Sequence, residues 1–372
     1  MGMYFQKLLP LPFDKSELEI YLLYLYELYR VVPARFISTI QLSFLWIMMK
    51  YREIPGTKLN PSVICLGALP FGVSLDEATS FSLMDRFLDG GGNFLDTALV
   101  YGEWLPNGKG LSEKTVGNWV KSRANRSEVI IGTKGAHPRI PTMHIPRLSP
   151  EEISSDLDES LANLQTDYID LYWLHRDDPD RPVSDILNTL NEQVQAGKIR
   201  YFGCSNWQES RIRQAQEYAI SHGLQGFSGN QVMWSLAAPN REAMSDKTMV
   251  AMDDSLRNYH VESGLASMAY NSQARGFFAK LISNAGDMSS LSPSLKKTYE
   301  NEPNLRKFTR LKELAESQAK PVSAMSLAYL INQPFPAYPI AGCTTMPQLT
   351  ENLQAADIKL DPSLLAYLDN VD

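Results

Sequence analysis

Cysteine is scarce in this 372-residue chain, and long basic or apolar runs are missing altogether. The three cysteines, Cys65, Cys204 and Cys343, lie in or beside apolar runs and show no ligand-like spacing. That pattern excludes a disulfide framework, offers no metal-binding motif, and fits reduced, buried thiols in a cytoplasmic protein. Basic residues number 35 against 42 acidic ones, a net charge of −7, and this argues against a nucleic-acid surface. The main apolar stretch near the N-terminus, Phe36 to Met49, is interrupted by Ser38, Thr39, Gln41 and Ser43. A bilayer span needs about 20 apolar residues, so this segment is too short and too polar to be one. No basic start and small-residue cleavage site mark a signal peptide. A GxGxxG turn is also lacking: the first glycine-bounded turn reads Gly67-Ala68-Leu69-Pro70-Phe71-Gly72. That argues against a doubly wound dinucleotide-binding sheet. What remains is ordinary for a globular enzyme, with 44% apolar and 21% charged residues.

Residues 1–48 differ from the rest, being rich in leucine and tyrosine, as in Tyr21-Leu22-Leu23-Tyr24-Leu25-Tyr26. A dispensable N-terminal extension is the favoured reading. A packed helix and a weak membrane-surface anchor are the alternatives. Residues 49–372 read as an independent domain, so a chain shortened to begin at Met49 is expected to stay soluble and active.

From about residue 60 the chain alternates strand-like and helix-like segments. Strands are expected at Val63–Gly67, Asn93–Asp96, Val129–Thr133, Tyr168–Leu174, Ile199–Gly203, Gly229–Met233, Leu265–Tyr270 and Tyr338–Gly342. The first helix is expected from a capping box, Ser74-Leu75-Asp76-Glu77, to the stop at Gly90-Gly91-Gly92. Ser149-Pro150-Glu151-Glu152 opens another helix, with Ile153, Leu157, Leu161 and Leu164 on one face. Further helices are expected over 112–124, 183–195, from Asn206 onward, 242–258, 304–318, 323–332 and 348–353. Eight strands alternating with helices over some 300 residues predict an α/β fold, a (β/α)8 TIM barrel.

Three successive strand runs end on, or just before, ionisable side chains: Asp96, Lys134 and His175, with Tyr101 five positions after the first. Catalytic groups of such barrels are carried past the carboxyl ends of the strands. Singly, each has an ordinary explanation: a turn cap for Asp96, a half-buried aromatic for Tyr101, a solvated lysine, a histidine satisfying backbone groups. Together at one rim they suit a definite chemistry. An ammonium beside a phenol stabilises the phenolate, a carboxylate orients the ammonium, and a histidine directs an oxygen. The set suits protonation of an oxygen that gains negative charge, as in carbonyl reduction. The side chains supply no hydride, so a nicotinamide cofactor is implied.

The same segments resemble the aldo-keto reductases from about Lys50 to the C-terminus. The resemblance is carried by Phe94-Leu95-Asp96-Thr97-Ala98 with Tyr101-Gly102, by Gly132-Thr133-Lys134, by Asp167–Arg176, and by Gly197–Asn206. It implies Tyr101 as the acid, Lys134 and Asp96 as its tuning pair, and His175 as the substrate-orienting group. It further implies that Ser205, Asn206 and Gln231 hold a nicotinamide carboxamide and that Trp234, three residues after the glutamine, stacks on the ring. Tyr270, Asn271 and Gly276 belong to a loop covering the pyrophosphate, in which Asn271-Ser272-Gln273 replaces the usual Ser-Pro-Leu. Gly342, Thr344, Gln348, Glu351 and Asn352 match the adenosine end. NADP(H) is the family default, and NAD(H) is possible because Thr344 and Thr345 stand where a basic residue often grips the 2′-phosphate. The expected partner is a small carbonyl substrate, shaped by Trp104, the stretch 137–147 and the C-terminal segment. Within the family, cofactor-holding potassium-channel β subunits and redox-neutral epimerisation are the alternatives to reduction. The sequence carries no signal for oligomeric state.

Overall fold

The computed structural model describes residues 49–244 and 246–369. The expectations for residues 1–48 lie outside the described residues. Eight parallel strands close on themselves in chain order: β1 (Cys65–Gly67), β2 (Phe94–Asp96), β3 (Ile130–Gly135), β4 (Ile169–Leu174), β5 (Ile199–Ser205), β6 (Gly229–Met233), β7 (Ala266–Tyr270) and β8 (Ala337–Gly342). Closure is made by β1 against β8, with Leu66 opposite Ala341. Among the described residues, twelve helices accompany the barrel: α1 (Glu77–Asp89), α2 (Leu111–Arg123), α3 (Pro150–Leu164), α4 (Val183–Gln195), α5 (Glu209–His222), α6 (Asp254–Ser263), α7 (Phe277–Ser283), α8 (Pro293–Tyr299), α9 (Glu302–Ser317), α10 (Val322–Ile331), α11 (Met346–Leu353) and α12 (Pro362–Asp369). Among the described residues no helix is long and apolar enough to cross a membrane.

Apolar side chains separate into two layers by strand parity. Cys65, Phe94, Leu171, Trp173, Met268 and Tyr338 fill the barrel interior, while Leu66, Leu95, Ile131, Tyr172 and Val232 face the helices. Trp173 is the largest interior plug, and glycine makes room for it. A Cβ at Gly203 would lie 2.4 Å from its ring and one at Gly132 3.1 Å from its indole nitrogen. The amino-terminal end of the barrel is closed by the segment from Met49 to Ser62, where Ile54 is buried and Tyr338 Oη donates to the Arg52 carbonyl. Any site must therefore lie at the opposite, carboxyl end.

Several helix starts differ from the sequence expectation. Asp76, not Ser74, caps α1, its carboxylate accepting from the Thr79 amide at 2.8 Å. Ser74 and Leu75 instead donate their amides to the Pro70 carbonyl in a tight turn. α5 starts at Glu209; Asn206 adopts a left-handed φ of 62° and caps nothing. α6 starts only at Asp254, because the preceding stretch is tied to β6 as an extended segment. Met233 donates to Val250 O and Met252 donates to Met233 O, which uses the backbone groups a helix would need. α3 matches its expectation, with the reciprocal bonds of Ser149 and Glu152 both formed.

Candidate active site

β2, β3 and β4 are adjacent, so their carboxyl ends bring Asp96, Lys134 and His175 side by side. The Lys134 ammonium is 1% exposed and all three of its donors are used. They reach Asp96 Oδ2 at 2.6 Å, Thr97 O at 2.7 Å and Tyr101 Oη at 3.0 Å. Asp96 Oδ1 accepts from Gln231 Nε2 at 2.9 Å, so the glutamine meets the carboxylate. Tyr101 reaches this group from a tight loop after β2. Gly102 turns that loop at φ +100°, and a Cβ there would come within 2.3 Å of Gly108 O.

Burial and charge compete throughout this cluster. Burial disfavours the Lys134 ammonium, but Asp96 and Tyr101 outweigh it, and the lysine is held above its ordinary value. Burial also pushes the Tyr101 phenol up, and the neighbouring ammonium reverses this only in part. Tyr101 is therefore a protonated phenol at neutral pH, with its oxygen already bonded to the cation that would stabilise its anion.

His175 stands edge-on to Tyr101, ring centroids 6.1 Å apart. Burial first, then His137, Arg176 and Lys134, push its imidazole well below its ordinary value, so it is neutral. Its carbonyl accepts from Asn206 Nδ2 at 3.2 Å and Arg176 Nη1 at 2.8 Å. Asn206 Oδ1 in turn accepts from Tyr270 Oη at 2.6 Å and the Val250 amide at 3.0 Å. Asn206 thus joins the ends of β4, β5 and β7 to the segment before α6. Ser205 is buried beside it, its Oγ accepting from Asn206 Nδ2 at 3.0 Å.

A cleft of about 830 Å³ runs from Asp96 and Tyr101 across β1, β7 and β8 to α11. It brings together Tyr270, Asn271, Gly276, Gly342, Thr344, Gln348, Glu351 and Asn352. Ser205, Asn206 and Gln231 are buried, hydrogen-bonded to neighbours, and not among the residues that line it. The loop over it is conformationally strained: Asn271, Ala274 and Arg275 have positive φ, and only at the next residue, Gly276, is that conformation free of steric cost. At the far end Gln348 Oε1 accepts from the Thr344 amide at 2.8 Å, Ser323 donates to Glu351 at 2.6 Å, and Gln273 donates to Asn352 at 2.8 Å.

Trp234 is not part of this arrangement, which corrects the sequence expectation. Its indole is 8% exposed and stacks on Phe335 at 5.5 Å, with Tyr329 at its edge. Side chains alternate along a strand. Gln231 points into the barrel, so a residue three further on points outward, in the layer of Val232. Tyr270 is the aromatic that reaches the cleft beside Asp96 and Tyr101. Sequence reasoning also missed Arg275 and Lys280, both of which line the cleft. Their signal was one cation on each side of Gly276, four residues from it on the helical side. Thr345 is spent on capping α11, its hydroxyl accepting from the Gln348 amide.

A sequence model of the aldo/keto reductase family matches residues 63–372. An uncharacterized oxidoreductase of Bacillus subtilis, YrpG, is 34% identical over 87% of this chain and 96% of its own length. Norsolorinic acid reductase stcV of Emericella nidulans is 30% identical over 82% of this chain and 76% of its own. An aryl-alcohol dehydrogenase [NADP(+)] of Phanerodontia chrysosporium is 28% identical, covering 86% and 85% respectively. With an eight-stranded closed barrel and a family match that spans it, the chain belongs to the aldo/keto reductase family of oxidoreductases.

Proposed function

We propose that the chain interconverts an aldehyde or ketone with its alcohol, using NADP(H) in preference to NAD(H). The observation that carries this is the buried Lys134 ammonium, which joins the Asp96 carboxylate to the Tyr101 hydroxyl. Protonation of a developing alkoxide needs a neutral acid whose conjugate base is stabilised in place, and Tyr101 beside Lys134 meets both needs.

The cleft fits a dinucleotide in size and lining; ligand sites of this kind enclose ~300–1,000 Å³. Ser205, Asn206 and Gln231 would hold the carboxamide, Tyr270 the nicotinamide face, and the strained loop from Asn271 to Gly276 the pyrophosphate. Gly342, Thr344, Gln348, Glu351 and Asn352 would take the adenosine. Bound there, a reduced nicotinamide would supply the hydride for the carbonyl carbon. Tyr101 Oη gives its proton to the carbonyl oxygen, Lys134 stabilises the phenolate, Asp96 keeps Lys134 charged and oriented, and His175 donates to the same oxygen. The described residues, 49–244 and 246–369, contain every group in this scheme, so removal of residues 1–48 should leave turnover unchanged.

Arg275 and Lys280 line the same cleft and would bring to it a positive charge that Thr344 and Thr345 do not, which would favour the 2′-phosphate carrier. Replacing both with alanine should weaken NADPH binding on the order of 10-fold or more and NADH binding far less. Quenching of tryptophan fluorescence on titrating the full chain with each dinucleotide measures this. Equal losses for both carriers would remove the two cations from 2′-phosphate recognition. If folded native protein bound neither dinucleotide, the reductase reading itself would be lost.

A further inference from the structure

Arg176, the residue after His175, takes no part in the chemistry proposed above, yet its guanidinium is buried and each of its nitrogens is bonded. The residue is 8% exposed. Nη1 donates to the His175 carbonyl at 2.8 Å, Nε to Thr248 Oγ1 at 2.7 Å and Nη2 to Asp246 Oδ2 at 2.9 Å. A guanidinium is a rigid planar fork, so three acceptors held at once fix one another's places. Trp207 Nε1 secures the Arg176 carbonyl at 3.3 Å.

Two of those acceptors belong to the segment 246–250 that precedes α6. Asp246 Oδ1 accepts from the Thr248 amide at 2.9 Å and from Thr248 Oγ1 at 2.6 Å, so both residues sit on the guanidinium as one unit. Two residues on, the Val250 amide donates to Asn206 Oδ1 at 3.0 Å. Asn206 Nδ2 returns to the His175 carbonyl at 3.2 Å, closing a ring that starts and ends on that oxygen. The Asn206 amide has no capacity left over: its other bonds run from Tyr270 Oη at 2.6 Å and to Ser205 Oγ at 3.0 Å. Of the residues in this ring and its two branches, Tyr270 alone lines the long cleft, beside Asp96 and Tyr101. The ring therefore ends, by one printed bond after another, on the aromatic that faces the cleft.

Resting on the reductase reading, we infer that Arg176 is a positioning residue for the nicotinamide end of the cofactor, acting through Asn206 on Tyr270. Arg176 pins the segment 246–250, that segment and the His175 carbonyl fix the rotation of the Asn206 amide, and the amide oxygen holds the Tyr270 hydroxyl. The ring of Tyr270 is thereby presented to the cleft in one orientation before a ligand arrives. Without the guanidinium the segment loses its anchor and Tyr270 must be ordered at the moment of binding, which weakens affinity. The adenosine end, at α11, shares no bond with this ring.

Calorimetric titration of the full chain with NADPH, and with ADP-ribose 2′-phosphate, which lacks the nicotinamide, tests this. Arg176→Met should weaken NADPH binding on the order of 10-fold, the scale of a charge-assisted hydrogen bond, and leave the fragment's affinity within about 2-fold. The KM for NADPH should rise by more than kcat at saturating NADPH falls. Tyr270→Phe keeps the ring and cuts its bond to Asn206. In that background Arg176→Met should cost NADPH affinity less than about 2-fold, because the route to the ring is already broken. Thr248→Val removes one acceptor from the fork without touching a buried charge, and it should show the same pattern at smaller size even if Arg176→Met folds poorly. Equal losses for NADPH and the fragment, or equal losses with and without the Tyr270 hydroxyl, overturn the inference and leave the reductase reading standing. Coupling between Arg176 and Tyr270 in NADPH binding, without any ketone reduction by the native protein, would support the positioning role and sink the reductase reading instead.

Discussion

Tyr101→Phe should lower kcat by on the order of 10³-fold, within the range a positioned general acid contributes. The phenylalanine keeps the ring, so the loop that Gly102 turns loses no packing, and Lys134 still has Asp96 and Thr97 O as acceptors. What disappears is the one proton held next to a cation at the mouth of the cleft. NADPH affinity should change little, because Tyr101 is one of many residues lining a cleft that runs away from it towards α11. Stopped-flow NADPH oxidation under single-turnover conditions, set beside fluorescence titration of the same variant, separates the two effects. A variant that turns over at the native rate would remove Tyr101 from its assigned role. One that loses cofactor affinity in parallel would make it a binding residue.

The grouping of Asp96, Lys134 and His175 was legible because the barrel imposes a simple rule. Parallel strands buried on both faces read as apolar runs, and polar side chains are permitted where those runs stop. Asp96, Lys134 and His175 obey that rule, and strand adjacency then makes them neighbours without further information. Helix α4 over Val183–Gln195 coincides with the helix expected over 183–195. Errors arose where a local pattern had a tertiary competitor. Ser74 has the chemistry of a cap, but the Pro70 carbonyl recruits its amide into a turn. The helix expected over 242–258 gives way to backbone pairing with Met233, a partner that sequence spacing does not reveal.

Trp234 is a different kind of error, since the correcting signal was present. The glutamine and an aromatic three positions later cannot share a strand face, and parity alone sends the indole outward. Tyr270 ends its own strand and meets the barrel mouth. Arg275 and Lys280 lie far in sequence from the usual position near Thr344, yet line the same cleft. Charge can enter the same cleft from a different loop, and only the fold shows that the β7 and β8 connections face each other there.

Lys134→Met should separate stability from catalysis. Methionine matches the length and much of the volume of the lysine stem, so packing is retained and the charge is lost. Asp96, 2% exposed, then keeps only the Gln231 amide as a side-chain donor. Breaking a buried pair by removing one partner typically costs about 3–5 kcal/mol. Burial already raises the Asp96 carboxyl, against the pull of Lys134 and Gln231, and without the ammonium it should take up a proton well above the usual carboxylate range. Stability of the variant should therefore rise as pH is lowered from 8 towards 5, because the folded state then binds a proton that the unfolded state does not. Adding Asp96→Asn should recover most of the lost stability and flatten that pH dependence, since a neutral amide has no charge to strand. Activity should not return in the double variant. Tyr101 would have no cation at its oxygen, and kcat should stay on the order of 10²–10³-fold below native, the scale of one preorganised electrostatic contact. Urea unfolding across that pH range and ketone reduction by the two variants decide the matter. Recovery of activity together with stability would mean that Lys134 acts only by keeping Asp96 compatible with burial.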